Sequence, residues 1–124
     1  MPEKKLRVLV IDDEASVRQV IERYLAAQGF SVVSLGDAET ALKLLATEKF
    51  DAILLDNNLP GIMGIAALAR IVGLTKAPVI AITGFPDEET RKDLLLIGAR
   101  AFMAKPLDME EVVAKIRELT GKKG

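Results

Sequence analysis

Two acidic residues, Asp12 and Asp13, stand together where the apolar run Arg7-Val8-Leu9-Val10-Ile11 breaks off, and a third, Asp56, closes the later run Ala52-Ile53-Leu54-Leu55. Thr83 ends the run Val79-Ile80-Ala81-Ile82, and Lys105 follows Ala101-Phe102-Met103-Ala104. Singly, each of these residues is a weak signal. An Asp at a strand end is commonly a turn former or a helix cap, and Asp13 is also placed to cap the first helix. Thr83 alone reads as a β-branched strand residue and Lys105 alone as a solvated charge. Together they mean more. Two carboxylates ~4 Å apart repel by about 4 kcal/mol at an effective dielectric near 20, so a three-acid cluster must protonate, splay apart or bind a cation. The chain has no histidine and no cysteine, so the donors are all oxygen, which suits a hard ion. Few protein ligands with room for water favour Mg²⁺ (or Mn²⁺) over Ca²⁺. A carboxylate beside such a metal can attack phosphorus while the metal and a lysine neutralise charge on the transferring group. That chemistry gives Asp56 and Lys105 distinct roles.

The elements that must bring these residues together can be read from periodicity. After Ile11, residues Val17, Val20, Ile21, Tyr24 and Leu25 recur at helical spacing, and Gly29 stands where a helix ends in a left-handed residue. The alternation continues with a strand over Ser31 to Leu35, a helix over Ala38 to Thr47 capped by Asp37, and the strand that ends at Asp56. Pro60, Gly61 and Gly64 mark a loop before a helix around Ile65 to Val72; Asp87 caps a further helix running to Ile97, which Gly98 closes. Lys105-Pro106 breaks the last strand before a helix with Asp108 and Glu111 at capping-box spacing and an apolar face of Val112, Val113, Ile116 and Leu119. Five strand-helix units with uniformly apolar strands predict a parallel sheet covered on both faces, a doubly wound α/β sandwich. In the flavodoxin-like strand order 2-1-3-4-5, ligands bind outside the carboxyl ends of the strands where the order reverses. Every predicted strand but the second delivers a polar group to that edge.

A chain of 124 residues with 50% hydrophobic and 28% charged residues is folded rather than disordered and can hold one core. The expected organisation is a single domain over 1–124, its core over about 6–120, with no output domain after Leu119. A formal net charge of −1, with no basic stripe apart from the terminal Lys122-Lys123 pair, argues against nucleic acid as a direct partner. Absent cysteine excludes disulfides and thiolate chemistry. The start, Met1-Pro2-Glu3-Lys4-Lys5, lacks a secretory signal, and no apolar run reaches the ~20 residues of a membrane span, so no membrane association and a cytoplasmic location are expected.

From Val8 to about Leu119 the chain resembles the receiver domain of bacterial response regulators, similar to the chemotaxis regulators. The motifs are Ile11-Asp12-Asp13-Glu14, Leu54-Leu55-Asp56 followed by Leu59-Pro60-Gly61, Ile82-Thr83-Gly84, and Ala104-Lys105-Pro106. As an ordered set they are specific. The resemblance implies that Asp12 and Asp13 hold Mg²⁺, that Asp56 receives a phosphoryl group from a histidine kinase or histidine phosphotransfer protein, and that the Asn58 carbonyl completes the metal shell. It also implies that Lys105 and Thr83 contact the phosphoryl oxygens, that Lys105-Pro106 is a cis peptide and that Phe102 is a switch aromatic. Read from the residues alone, Pro106 merely stops a strand and Phe102 is core. Three positions depart from the family's common pattern: Asn57 stands where an apolar residue is usual, Met63 where an acid is frequent, and Phe85 puts a bulky ring two residues after Thr83.

Three other readings compete. A small phosphatase of the haloacid-dehalogenase type also combines an Asp nucleophile, Thr, Lys and Mg²⁺, but its nucleophile follows the first strand in an Asp-x-Asp pattern, whereas Asp12 and Asp13 are adjacent, and 124 residues leave no room for a cap. A flavodoxin-like cofactor carrier fits worse, because an acidic first loop repels phosphate. A phosphorylation-independent pseudo-receiver would need a degenerate acid cluster or lysine. A signalling switch rather than an enzyme is therefore expected. Its output face, by the same resemblance, is the fourth helix, fifth strand and fifth helix, which serves a downstream protein or an activated-state homodimer. On the fourth helix Leu94, Leu95 and Ile97 can share the sheet-facing side while Leu96 points away, although an isolated exposed leucine is common.

Overall fold

The structure, a computed structural model, describes residues 5–58, 64–84 and 86–121. Strands and helices alternate: β1 (Arg7–Ile11), α1 (Ala15–Ala27), β2 (Ser31–Leu35), α2 (Ala38–Leu45), β3 (Ala52–Asp56), α3 (Gly64–Leu74), β4 (Val79–Thr83), α4 (Glu88–Ile97), β5 (Ala101–Ala104) and α5 (Met109–Thr120). The strands form one parallel sheet in the order β2-β1-β3-β4-β5, the flavodoxin-like order expected from the sequence. Among the described residues no helix is long and apolar enough to cross a membrane.

The two-residue period of a strand divides the core into two layers. Leu9, Ile11, Ile53, Leu55, Val79 and Ala81 face α2, α3 and α4, where Ala41, Leu45, Leu68, Ile71 and Leu94 cover them. Val8, Val10, Ala52, Leu54, Ile80 and Ile82 face α1 and α5 and meet Ile21, Leu25, Val112, Val113 and Ile116. Each large side chain so buried contributes about 1.5–3 kcal/mol of transfer free energy. Because both faces are covered, β3 and β4 are buried at every position, while β2 at the sheet edge is only partly so.

Helix ends follow the capping signals. Asp37 accepts from the Thr40 N–H, Asp87 from the Thr90 N–H, and Asp108 from the N–H groups of Glu110 and Glu111. Gly29 and Gly98 take the positive φ values (96° and 139°) that end α1 and α4. At Gly98 a Cβ would also come within 3.1 Å of Val72.

The elements differ from expectation in detail. The second helix stops at Leu45 rather than Thr47, and the third runs from Gly64 to Leu74 rather than Ile65 to Val72. Val20, read as part of the buried stripe of α1, is 59% exposed, and Ile97 is 38% exposed. Both lie at the flank of a helical stripe, where the neighbouring element and not the period decides coverage. The Leu59-Pro60-Gly61 motif, Met63, Phe85 and the Lys122-Lys123 pair lie outside the described residues.

Candidate functional site

The backbone ladder extends one step beyond the strands, and this fixes the site residues. The Asp12 N–H donates to the Leu35 carbonyl (3.0 Å), the Asn57 N–H to Ile82 (2.8 Å) and the Lys105 N–H to Thr83 (2.8 Å). Asp12 and Asp56 therefore sit at the ends of the adjacent strands β1 and β3, and Lys105 at the end of β5 with β4 between, all tied through the sheet.

Asp12 and Asp56 are held in the same way. In each, Oδ1 accepts from the backbone N–H two residues later: Glu14 N–H for Asp12 (2.9 Å) and Asn58 N–H for Asp56 (3.0 Å). Such local turns are what Asp offers at a strand end. The other oxygen is then turned toward Lys105, whose Nζ lies 3.1 Å from Asp12 Oδ2 and 3.2 Å from Asp56 Oδ2. Asp13, exposed beside them, completes a group in which one oxygen of each of Asp12, Asp13 and Asp56 lies within 4.8 Å of the others. Asp13 does not cap α1: Glu14 occupies the N-cap position, and no side chain bonds there.

Burial sharpens the electrostatics. Asp12 and Asp56 are essentially inaccessible, so their charges are only partly hydrated. The Asp56 carboxyl is pushed above the usual carboxylate range, chiefly by burial. Its hydrogen bond from Asn58 pulls the other way, the Asp12 charge adds to the rise, and Lys105 opposes without cancelling it. Burial alone would discharge Lys105, yet its contacts with Asp12 and Glu14 and the charges of Asp56 and Asp12 outweigh that and raise its pKa. Asp12 Oδ2 is buried and, among the described residues, has no hydrogen-bond donor. The lysine is close enough to it for an ion pair but is not directed as a hydrogen bond. An all-oxygen trio with one lone pair unmet is the donor set a hard divalent cation takes.

Thr83 is buried at the end of β4, and strand register places Ala104 opposite it and Phe102 opposite Ala81, so Thr83 and Phe102 share the α2–α4 side of the sheet. Phe102 is half-buried against the core there. The Lys105-Pro106 peptide is cis, as the resemblance implied. Leu96 projects from the outer side of α4, 84% exposed, away from this group.

Two neighbours carried no role in the sequence reading. Glu14 Oε1 lies 3.1 Å from Lys105 Nζ, and Arg18 donates through Nη1 to the Asp12 carbonyl (2.6 Å). The guanidinium passes Gly36, where a Cβ would stand 3.1 Å from it. A cavity of about 530 Å³ opens beside them, lined by Glu14, Val17, Val20, Lys105, Pro106 and Leu107 among others. On the far side, Gly64 leaves room for Asn57, whose carbonyl oxygen would lie 2.6 Å from an added Cβ.

A family model described as the response regulator receiver domain matches residues 8–117. A probable transcriptional regulator of Guillardia theta is 36% identical over 115 residues, 93% of this chain and 45% of that protein. The chain spans about half the length, or less, of the curated relatives it matches. A Burkholderia pseudomallei response regulator, solved with a phosphorylated aspartic acid, calcium ion and citrate, is 28% identical with a TM-score of 0.86, covering 94% of this chain and 69% of its own. The receiver domain of a Pseudomonas aeruginosa sensor histidine kinase, solved with a magnesium ion in its active-site cleft, is 26% identical with a TM-score of 0.85, covering 96% of this chain and 100% of its own. By the family match across the sheet and all five strand ends, the chain belongs to the response regulator receiver domains, the phosphorylation-activated switches of two-component signalling.

Proposed function

We propose that Asp56 is the phosphoacceptor, with Asp12, Asp13 and the Asn58 carbonyl holding Mg²⁺ and with Lys105 and Thr83 contacting the phosphoryl oxygens. The observation that carries this reading is a buried carboxylate, 2% exposed, that shares the Lys105 ammonium with a second buried carboxylate at the sheet's switch edge. An Asp56 oxygen attacks the phosphorus of a phosphohistidine on a histidine kinase or histidine phosphotransfer protein. The P–N bond breaks and its electron pair stays on the imidazole. The cation, when bound, offsets charge on the transferring oxygens. Lys105 then turns from Asp56 to the phosphoryl group, and Thr83 is drawn toward it. Phe102, on the same side of the sheet as Thr83, follows into the space behind. The α4/β5/α5 surface around Leu96 changes shape and is read by a protein partner or a second copy. The cavity beside Glu14 and Lys105 gives an incoming donor an apolar surface next to Asp56. The similarity to a protein solved with a phosphorylated aspartic acid supports the same assignment.

Mass spectrometry after acetyl phosphate treatment, with and without Mg²⁺, tests it. One phosphoryl mass is expected on the parent in Mg²⁺, and none on Asp56→Asn or in EDTA. Equal labelling of the parent and Asp56→Asn would move the acceptor elsewhere.

A further inference from the structure

The Lys105 ammonium has three carboxylates at nearly equal range, Asp12 and Glu14 at 3.1 Å and Asp56 at 3.2 Å. Two of them belong to the acid trio and are claimed by any divalent cation bound there; Glu14 does not. Glu14 is also the exposed member, its side chain 57% accessible against 2% for each of the other two, so pairing with it costs little desolvation whatever fills the cleft. It is held to the site through the backbone, since its N–H is the donor that fixes Asp12 Oδ1.

We infer that Glu14 is a positioning residue for Lys105: it receives the ammonium when Asp12 and Asp56 are occupied by a divalent cation, and so holds the lysine at the cleft. The inference rests on the proposed role of the acid trio as the cation site. Without Glu14, Lys105 gives up both of its remaining partners when the cation enters. With it, one contact persists and strengthens as the other two are released. The ion pair of Glu14 and Lys105 is therefore worth more with the site filled than with it empty, and this difference appears as cation affinity.

A double-mutant cycle on Mg²⁺ binding by isothermal titration calorimetry tests this, at about 0.15 M ionic strength, where distant charges are screened beyond roughly 8 Å. Glu14→Gln should weaken Mg²⁺ binding about threefold, within the range of an exposed ion pair. In a Lys105→Met background, which keeps the aliphatic stem and removes the charge, the same change should cost less than about 1.5-fold, because nothing is left to receive. Equal losses in the two backgrounds overturn the inference and make Glu14 a distant charge only. No loss in either overturns it as well. Absence of Mg²⁺ binding to the parent itself would instead remove the cation reading on which the inference stands.

Discussion

The two ends of the sheet treat charge in opposite ways. At the amino ends of the strands, Arg7 is met by its own chain on several sides. Its Nη2 pairs with Glu48 at 2.7 Å, Nη1 donates to the Lys49 carbonyl at 2.9 Å, its guanidinium lies 4.4 Å above the Phe50 ring, and its backbone N–H donates to Asp51 at 2.7 Å. At the carboxyl ends, Asp12, Glu14 and Asp56 share one ammonium, Asp13 adds a fourth carboxylate close by, and one buried oxygen is left without a donor among the described residues. The first arrangement is complete as it stands. The second is satisfied only by something that arrives. A residue that pairs fully with its own chain is spent on stability, whereas an excess of buried charge of one sign is a binding capacity held by the rest of the fold.

The largest effect that sharpens this contrast is expected at Lys105. In EDTA, Lys105→Ala leaves Asp12 and Asp56 buried without a counter-charge, so urea unfolding should show a loss of about 3 kcal/mol. Millimolar Mg²⁺ should restore most of it, because a cation takes over the neutralising role. A loss that Mg²⁺ leaves untouched would place Lys105 with the structural charges of the other end.

Asp56→Asn should act in the opposite direction. Its folded-state pKa is raised above the ordinary carboxylate range, mainly by burial, so the charged form is penalised in the fold. The stability linked to this group is present below its unfolded pKa and is lost as pH rises through the folded value. In EDTA at pH 7 the asparagine variant should therefore be more stable than the parent. The gap should close as pH falls toward 4, when Asp56 takes up its proton. Denaturation curves across that range decide it, and a gap constant with pH would mean that burial does not raise the pKa.

Arg7→Ala is the counterpart at the satisfied end and should be smaller. Its ion pair is about one-third exposed on the Arg side and more so on the Glu side and is discounted accordingly. Lost packing on Phe50 and a lost hydrogen bond leave about 1 kcal/mol of destabilisation. That loss should be the same in EDTA and in Mg²⁺, and Mg²⁺ affinity should not move. A Mg²⁺-dependent loss would break the distinction between the two ends.

Much of the switch edge could be read from the sequence because each of its residues interrupts an apolar run, and the strand order converts that position into proximity. Asp12, Asp56, Thr83 and Lys105 are of this kind. For Asp13 the residue alone fits both a cap and the open cleft, the resemblance implies the cleft, and the N-cap at Glu14, where no side chain bonds, removes the capping alternative. Glu14 and Arg18 could not be read as neighbours of the site. They are ordinary polar residues at a helix start, and the Glu14–Lys105 contact joins positions 91 apart in sequence. The burial of Val20 and Ile97 was misjudged for a related reason: helical period shows which residues share a face, while the width of that face is set by the elements packed on it.

The smallest effect on stability is expected at Leu96, which belongs to neither end of the sheet and so tests whether the contrast between them is complete. Its side chain is 84% exposed, while Leu94 two residues before it is buried, so replacing it removes almost no core contact. An exposed apolar residue is common enough to mean nothing by itself. It gains meaning only from the proposed coupling, in which Thr83 and Phe102 transmit the state of Asp56 to the surface that α4 shares with β5 and α5. Leu96→Glu should change unfolding free energy by less than about 0.5 kcal/mol and leave Mg²⁺ affinity and labelling of Asp56 as they are. Sedimentation of the beryllofluoride-activated domain, or titration with a partner once one is in hand, should then show weakened association in the variant alone. Association as strong as the parent's would put the output surface elsewhere on the fold. A variant that loses several kcal/mol would mean that Leu96 is covered, and that the chain has a third region in which charge is excluded rather than paired or held open.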